Sequence, residues 1–340
     1  MKKNIPTLKQ IAENLELSVS TISRALNNNG SISDLTKKKV IEEAKRLNYV
    51  PNIIAKNFRD KRTKTIGVIV PNLMHSFTGT ILKGILLETE RIKYKTIICE
   101  TNDNIEKEKE LLNRMLEFGV DGILMSLSKF TTNLSPLLKV LEKKPIILFD
   151  KASDKIPCTQ IVTNEVKGAF NAVEHLINIG KKRIAIIKEK QGSFNSEKRF
   201  IGYLKALDQY RYPLDETLIF DVSNTTIEEG ELLGEYIVNL KEKPDAIFCI
   251  TDSLAIGIIK TLNKYNIVIP IEIAVVGFSN SDSSRVIKPN LTTIKQSGYK
   301  IGKLAVKQLI EEMRSEKDFF SSKSIEVNTK LIVRESTFVL

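Results

Sequence analysis

The chain has 340 residues, 42% of them hydrophobic and 27% charged, with 16 Gly and 10 Pro. This composition excludes collagen-like and low-complexity chains, and this length exceeds what one hydrophobic core usually organises, so we expect a globular protein of two or three domains. The net charge is +11, of which residues 1–65 contribute +8, with 14 Lys and Arg against 6 Asp and Glu. The positive charge is concentrated at the amino end, where it favours contact with nucleic acid.

The cysteine and histidine content argues against disulfide, redox and metal chemistry. The three cysteines, Cys99, Cys158 and Cys249, are too scattered for a disulfide framework, and two of them lie in apolar runs. With only His75 and His175 beside them, no zinc-ligand spacing is present. We expect buried, reduced thiols, no metal and no cofactor.

The sequence has no pattern typical of export or membrane anchoring. No apolar stretch reaches the ~18 residues of a membrane span, and the charged start is not followed by the apolar segment of a signal peptide. We therefore expect a cytoplasmic protein, associated with the nucleoid if it binds DNA, and no membrane partner.

Residues 7–26 have the pattern of two short helices separated by a turn. Thr7 and Gln10 have the spacing of a capping box at the start of the first helix, and Ser18 is placed to cap the second. A third amphipathic helix is predicted to end at Leu47. This order of elements is that of a helix-turn-helix, whose second helix lies in the major groove of DNA.

The exposed face of the predicted second helix carries groups suited to DNA. They are hydroxyl, amide and guanidinium groups, which bind phosphates and base edges: Ser18, Ser20, Thr21, Ser23, Arg24 and Asn27. Lysines 37–39 lie near the start of the third helix, predicted at Asp34 or Thr36, and fit phosphate contact or a solvated face equally well. Because amphipathic helix pairs are more often structural, this polar face is the stronger indication of DNA binding.

Three stretches resemble the DNA-binding and hinge segment of the lac repressor (LacI/GalR) family of bacterial transcription factors: TLKQIAENLELSVSTISRALN at 7–27, TKKKV at 36–40 and LNYVPNIIAKNF at 47–58. The resemblance implies that Val19, Ser20 and Arg24 contact base edges. The other residues expected at DNA in this domain are uncharged and polar: Thr7 and Ser18 at the helix starts, and Thr21, Ser23 and Asn27 at or near phosphate-contacting positions.

Residues 51–64 are the predicted hinge and linker after a DNA-binding domain at 1–50. This segment is too short to fold alone, and in the resembled family it becomes helical when two protomers bind DNA and insert an apolar side chain into the minor groove. The resemblance places four hinge residues at DNA: Asn52, Ile54, Ala55 and Phe58. Phe58 stands where the family usually has leucine; it can also unstack a base step, and the alternative is that it packs against the adjoining domain.

From Thr65 onward, short β-rich runs alternate with longer helical ones. The predicted strands lie at 65–70, 95–99, 122–126, 145–150, 183–188, 246–250 and 273–278. The predicted helices lie at 79–93, 104–118, 165–179, 196–210, 252–265 and 298–314. Near-continuous apolar strands between helices imply parallel sheets covered on both faces. Because the pattern restarts after Asp150, this α/β core is predicted to form two doubly wound lobes.

This layout resembles the periplasmic sugar-binding-protein fold, which the lac repressor family uses as its effector-binding and dimerisation core. The resemblance implies three crossings between the lobes, with lobe 1 at 65–160 plus 292–323 and lobe 2 at 161–291 plus 324–340. It also implies a homodimer, or a tetramer, on double-stranded operator DNA. A small effector is expected in the cleft outside the carboxyl ends of the strands.

The resemblance places nine candidate effector-binding residues at this cleft: His75, Ser76, Phe77, Asp150, Lys151, Arg199, Thr225, Asp252 and Ser279. Carboxylates and a guanidinium can bind hydroxyl pairs while an aromatic ring covers the apolar face of a sugar. The alternatives are a core role for Phe77 and a strand-end cap for Asp150. Ser279 stands where the family often has aspartate, and Thr225 where an aromatic often stacks, so the motifs leave the effector's identity open.

The sequence lacks the motifs of enzymes that are built on a doubly wound scaffold. The chain has no G-x-G-x-x-G after the first strand, no G-x-x-x-x-G-K-[ST] and no G-x-S-x-G. The sequence therefore predicts a DNA-binding regulator, a repressor controlled by a sugar or sugar derivative, and not an enzyme. The alternative is a co-repressor-dependent or activating regulator that responds to a metabolite such as a nucleobase. A solute-binding protein or an enzyme on the same fold is a remote alternative.

Overall fold

The computed structural model describes residues 6–50, 62–190, 193–315 and 322–338, and the chain divides into two compact units, 1–63 and 64–340. The predicted hinge contacts lie outside the described residues: Asn52, Ile54, Ala55 and Phe58.

The described part of the smaller unit contains three helices: α1 (Leu8–Asn14), α2 (Val19–Leu26) and α3 (Asp34–Arg46). Ile11, Ile22 and Val40, one from each helix, are fully buried against one another. The sequence determines the helix starts locally, because Thr7 and Gln10 form the predicted capping box and the Ser18 hydroxyl accepts the amide of Thr21. The predicted helix-turn-helix is confirmed.

The larger unit contains two sheets of six strands. The first is entirely parallel and has the order β11-β5-β4-β3-β1-β2. Its strands are β1 (Thr65–Val70), β2 (Lys95–Glu100), β3 (Gly122–Met125), β4 (Ile146–Phe149), β5 (Gln160–Thr163) and β11 (Ser324–Val327). Four helices cover this first lobe: α4 (Ser76–Arg91), α5 (Ile105–Glu117), α6 (Ser135–Leu141) and α11 (Gly298–Arg314).

Successive side chains of β1 point to opposite faces of the first sheet, and those on both faces are buried. Ile66 and Val68 pack beneath α4 and α11, whereas Ile69 packs beneath α5 and α6. Both faces are therefore covered, as the continuous apolar run of β1 predicts.

The second sheet has the order β12-β10-β9-β8-β6-β7, with β12 antiparallel to β10 and the other pairs parallel. Its strands are β6 (Ile184–Glu189), β7 (Ile219–Val222), β8 (Ala246–Cys249), β9 (Ala274–Ser279), β10 (Thr292–Lys295) and β12 (Lys330–Ile332). The helices of this second lobe are α7 (Glu165–Asn178), α8 (Phe194–Gln209), α9 (Ile227–Val238) and α10 (Asp252–Lys264). The predicted pair of doubly wound lobes is confirmed.

The lobe boundaries differ from the predicted ones by one strand at each crossing. β5 and β11 belong to the first sheet, although the sequence assigned 161–291 and 324–340 to lobe 2. β10 belongs to the second sheet, although the sequence assigned 292–323 to lobe 1. The chain completes a short strand in the sheet it is leaving before it crosses, so the crossings follow residues 163, 295 and 327.

Candidate functional site

The N-terminus of α2 carries a cluster of hydroxyl groups. The Ser18 Oγ lies 2.7 Å from the Ser20 Oγ and 2.8 Å from the Thr21 Oγ1, and it accepts a hydrogen bond from the Thr21 amide at 3.1 Å. Ser18 and Ser20 are exposed, and Thr21 is half-buried. A helix N-terminus with free hydroxyls is suited to a phosphate oxygen, because its amides and its dipole both favour negative charge.

Farther along α2, the predicted base-contacting residues lie on the surface. Val19 is 45% exposed and Arg24 is exposed. The Asn27 side chain donates to the Ser23 carbonyl at 2.7 Å, so one of its amide hydrogens is engaged within the helix. Thr7 is exposed at the start of α1, where it forms the capping box. The surface of α2 thus presents one cation, one apolar side chain and several hydroxyls.

A cavity of about 350 Å³ lies between the two lobes of the larger unit, at the carboxyl ends of the strands. It is lined by seven of the nine predicted effector residues: His75, Phe77, Asp150, Lys151, Arg199, Thr225 and Ser279. Ser76 and Asp252 do not line it. The predicted cleft is therefore present in the structure.

Asp252 instead forms hydrogen bonds within the second lobe. Its Oδ1 accepts the Thr293 hydroxyl at 2.5 Å and its Oδ2 accepts the Ser281 amide at 2.6 Å. Burial raises the pKa of this carboxyl, and these hydrogen bonds oppose the rise. Asp252 begins α10 and anchors the loop after β9, which leaves its carboxylate no free oxygen toward the cavity. Ser76, the first residue of α4, is exposed to solvent.

Asp150 and Asn195 join the lobes across the cavity. Asp150 follows β4 of the first lobe in a left-handed conformation with φ 59°, and its Oδ1 accepts the Asn195 Nδ2 at 2.8 Å. Asn195 lies in the first turn of α8, in the second lobe. A second contact joins Lys129 of the first lobe to Glu189 at the end of β6, with 3.9 Å between Nζ and Oε1. The Glu189 carboxylate is positioned by the Ser193 hydroxyl at 2.7 Å.

Arg199 is held in a buried ion pair beside two of the crossings. Its Nε donates to the Glu165 Oε2 at 2.7 Å, and its guanidinium stacks 3.8 Å from the centroid of the Phe278 ring. The Gln296 Nε2 donates to the other Glu165 oxygen at 3.0 Å. Burial raises the pKa of Glu165, and the Arg199 cation opposes that rise. Glu165 and Gln296 follow β5 and β10, so this network fixes the chain where it passes between lobes.

His75 and Phe77 form the wall contributed by the loop after β1. Phe77 is 6% exposed and packs with Ile81 of α4, so it is largely a core residue with one edge at the cavity. Withdrawal from bulk water lowers the pKa of His75, and the nearby Asp150 carboxylate opposes this. The net effect disfavours the cationic imidazolium.

Sequence reasoning missed several polar residues that line the cavity: Asn72, Asp103, Lys129, Glu189, Ser193, Asn195, Asn224, Thr251 and Gln296. A simple signal identifies some of them. Glu189 ends β6, Thr251 follows β8 and Gln296 directly follows β10. Since the carboxyl ends of parallel strands meet at one edge, polar residues just beyond each strand are candidates for the cavity wall.

Among the described residues, no group of three His, Cys, Asp or Glu side chains is placed to hold a metal ion. Within the same ranges, no helix is both long and apolar enough to cross a membrane.

Two protein-family models match the chain. Residues 7–52 match "Bacterial regulatory proteins, lacI family", and residues 173–337 match "Periplasmic binding protein-like domain". The NTD biosynthesis operon regulator NtdR of Bacillus subtilis is 34% identical over 335 residues, which are 98% of this chain and 100% of that protein. The chain belongs to the lacI family. It is a DNA-binding transcription regulator with a periplasmic-binding-protein-like core controlled by an effector.

Two further relatives agree with this lacI-family assignment. Catabolite control protein A of Priestia megaterium is 31% identical over 336 residues, 97% of this chain and 99% of that protein. The crystal structure of the lac repressor dimer bound to operator and the anti-inducer ONPF superimposes with a TM-score of 0.88 over 98% of this chain and 99% of that chain. At 23% identity, the latter shows the fold. These relatives are regulators, which agrees with the prediction that the chain is not an enzyme.

Proposed function

We propose that this lacI-family regulator is a cytoplasmic, nucleoid-associated repressor that binds a pseudo-palindromic operator as a homodimer and responds to a sugar or sugar derivative. The observation that carries the proposal is the combination, in one chain, of an exposed helix-turn-helix and a polar cavity between two lobes. The lac repressor structure, a dimer on its operator, supports the proposed assembly.

On DNA, α2 is proposed to lie in the major groove. Arg24 would bind a guanine edge, while Val19 and Ser20 contact neighbouring bases. Phosphates would be bound by the residues that surround this helix: Thr7, Ser18, Thr21, Ser23 and Asn27. The hinge is proposed to become helical at the minor groove and to insert Phe58 between two base pairs. Its other proposed DNA contacts are Asn52, Ile54 and Ala55.

In the core, the effector is proposed to act on the contacts that join the lobes. Asp150 bonds to Asn195 across the cavity, so a ligand that takes up the Asp150 carboxylate must replace that hydrogen bond. The resulting change in the angle between lobes would alter the spacing of the two hinges in the dimer. Because binding at two sites is coupled reciprocally, operator DNA must change effector affinity by the same factor.

The experiment is selection of binding sites from random duplexes by the full chain, followed by anisotropy titration and light scattering. We expect an inverted-repeat consensus, two chains per duplex, and a change of at least about fivefold in Kd with a sugar from a panel. The core 64–340 should bind the sugar without binding the duplex. One chain on an asymmetric site, or operator binding by the core alone, would contradict the proposal.

Arg199→Ala separates the two activities. Loss of the guanidinium leaves Glu165 as a buried carboxylate without its cation, so the effector response should be lost while operator affinity stays within about twofold. Lys205→Ala on the same helix is a matched control, because Lys205 is exposed and does not line the cavity. Circular dichroism checks that both variants fold.

A nucleobase is the second candidate effector class. It is favoured by the carboxamide side chains in the cavity wall, because carboxamides pair with the donor and acceptor edges of bases: Asn72, Asn195, Asn224 and Gln296. Free adenine, guanine and uracil therefore belong in the same panel as the sugars.

A further inference from the structure

The cations around the interlobe cavity are already paired with carboxylates. Each of the three lies within 4.0 Å of an acidic side chain: Lys129 with Glu189 at 3.9 Å, Lys151 with Asp103 at 4.0 Å, and Arg199 with Glu165 at 2.7 Å. All except Glu165, which lies behind Arg199, line the cavity itself. An incoming anion would therefore meet a carboxylate close to each of these cations.

A fourth carboxylate, Asp150, has no cation partner among the described residues. It is 9% exposed and accepts a hydrogen bond from the neutral Asn195 side chain. Removal from water lowers the pKa of the nearby His75 imidazole, which disfavours its cationic form beside Asp150. The side chains that line the cavity include three cations, Lys129, Lys151 and Arg199, and three carboxylates, Asp103, Asp150 and Glu189, so the wall has no excess of positive charge.

The cavity wall also has an excess of hydrogen-bond acceptors. Asn195 and Gln296, which are 8% and 6% exposed, each have a buried carbonyl oxygen without a hydrogen-bond partner. Their amide nitrogens donate hydrogen bonds to Asp150 and Glu165, and these bonds identify which terminal atom of each side chain is the oxygen. Both side chains line the cavity. Buried acceptors without partners are unfavourable, so a donor that reaches them is favoured.

We infer that the effector of this cavity is a donor-rich molecule without an anionic group, a free sugar or an amine-bearing sugar, and that phosphorylated and carboxylated sugars are excluded. This inference rests on the proposed function, since it specifies the ligand of the same cavity. Hydroxyl and ammonium groups supply the donors that Asp150, Asn195 and Gln296 lack. A phosphate would meet the unpaired Asp150 carboxylate in a partly enclosed cleft, where repulsion is screened less than in bulk water.

The test compares ligands that differ only in charge. The full chain is titrated by calorimetry with glucose, glucosamine, glucose 6-phosphate and gluconate, and with ribose, galactose and their phosphates. Adenine and guanine are likewise compared with their 5′-monophosphates. We expect at least one neutral or amine-bearing member to bind, and its anionic counterpart to bind at least tenfold more weakly.

Asp150→Asn tests the charge directly. This substitution removes the unpaired carboxylate but keeps an oxygen that can accept from Asn195, so the ratio of neutral to anionic affinity should fall at least fivefold. Asp154→Asn is the matched control, since Asp154 is exposed, lies four residues away and does not line the cavity. It should leave the ratio unchanged.

The outcomes separate this inference from the proposed function. An anionic member that binds as tightly as its neutral counterpart, or more tightly, overturns the inference while the effector-controlled regulator stands. The inference is also overturned if Asp150→Asn and Asp154→Asn have the same ratio of neutral to anionic ligand affinity. If no member of the panel binds or changes operator affinity, the proposed sugar and nucleobase effectors fail, and this inference fails with them.

Discussion

Arg24 is the residue on which the proposed base recognition most depends. It lies on the exposed face of α2, and its guanidinium can bind the O6 and N7 of a guanine together. Arg24→Ala should therefore weaken operator binding by about 1–3 kcal/mol and abolish the preference at one base position per half-site. Anisotropy titrations against duplexes with single base changes would measure both effects.

Lys38→Ala is the control for Arg24→Ala, because Lys38 is an exposed lysine near the start of α3 whose proposed contact is with phosphate. It should weaken binding uniformly on all duplexes and reduce the slope of log Kd against log salt by about 1. If Arg24→Ala also weakened all duplexes uniformly, its proposed role at a base edge would be wrong.

Glu312, near the end of α11, is a buried carboxyl whose two oxygens lack a hydrogen bond of ordinary geometry. Burial raises its pKa above 4.5, and the neighbouring Thr159, Gln308 and Lys323 only partly offset this. The folded state thus binds the proton more tightly than the unfolded state. Its contribution to stability is favourable below pH 4.5 and is lost as the pH rises through the folded pKa.

Glu312→Gln should consequently stabilise the protein at pH 7, by about 1 kcal/mol, since it replaces a buried charge by a neutral group of similar shape. The gain should shrink to nothing near pH 4, where the glutamic acid is already protonated. Thermal unfolding between pH 4 and pH 8 measures this, with the exposed Glu311→Gln as control. A variant that is less stable than the parent at pH 7 would show that the carboxylate has a partner.

At the scale of elements, α4 and α11 pack unusually closely over the first sheet. A Cβ at Gly84 of α4 would collide with the Tyr299 carbonyl oxygen, and a Cβ at Gly302 of α11 would collide with the Ile81 carbonyl oxygen. Backbone stands against backbone at both positions, so neither contact relaxes by a side-chain rotation. Gly84→Ala should destabilise the core by about 1–3 kcal/mol.

Gly79→Ala is the matched test in the same helix. A Cβ at Gly79 has open space around it, so only the entropy of the unfolded chain changes and stability should rise by up to about 1 kcal/mol. Denaturant unfolding of both variants gives the comparison. Equal effects of the two substitutions would show that helix propensity, and not helix packing, accounts for these glycines.

Two of the strands that sequence analysis missed are short and polar. Residues 324–327 and 330–332 form β11 and β12, whose side chains are mostly half-buried or exposed. They lie at the edges of their sheets, so one side of each strand packs against nothing in the sheet. Without a continuous apolar run, neither strand has a pattern that local analysis recognises.

At the scale of the whole molecule, the contact between Asp150 and Asn195 links the two lobes in the absence of ligand. Asn195→Ala removes the donor of this contact, while the longer contact between Lys129 and Glu189 and the packing of Phe194 against the first-lobe core remain. The ligand-free core should therefore open, with a larger radius of gyration and faster effector association. Small-angle scattering and stopped-flow fluorescence would measure these. Asn239→Ala, which removes a side chain that bonds within the second lobe, should leave the radius unchanged.

If Asn195→Ala scatters as the parent does, the contact between Asp150 and Asn195 does not set the angle between the lobes. The buried network of Arg199, Glu165 and Gln296 at those crossings would then be the element that sets the angle between lobes.

Local patterns were sufficient to predict the helix-turn-helix, because its caps and its apolar spacing act over three or four residues. They were also sufficient for the long strands, which are apolar enough to require burial on both faces. The charge distribution was equally visible, with +8 in residues 1–65.

Only the tertiary structure decided where the lobes begin and end and which side chains line the cavity. The Asp252 carboxylate accepts hydrogen bonds from Ser281 and Thr293. Asn195 donates to Asp150 across 45 positions of the sequence, and Gln296 donates to Thr163 across 133. Contacts over such distances depend on how the strands are ordered in the two sheets. That order is a property of the packed chain, because no local run of residues specifies its distant neighbour.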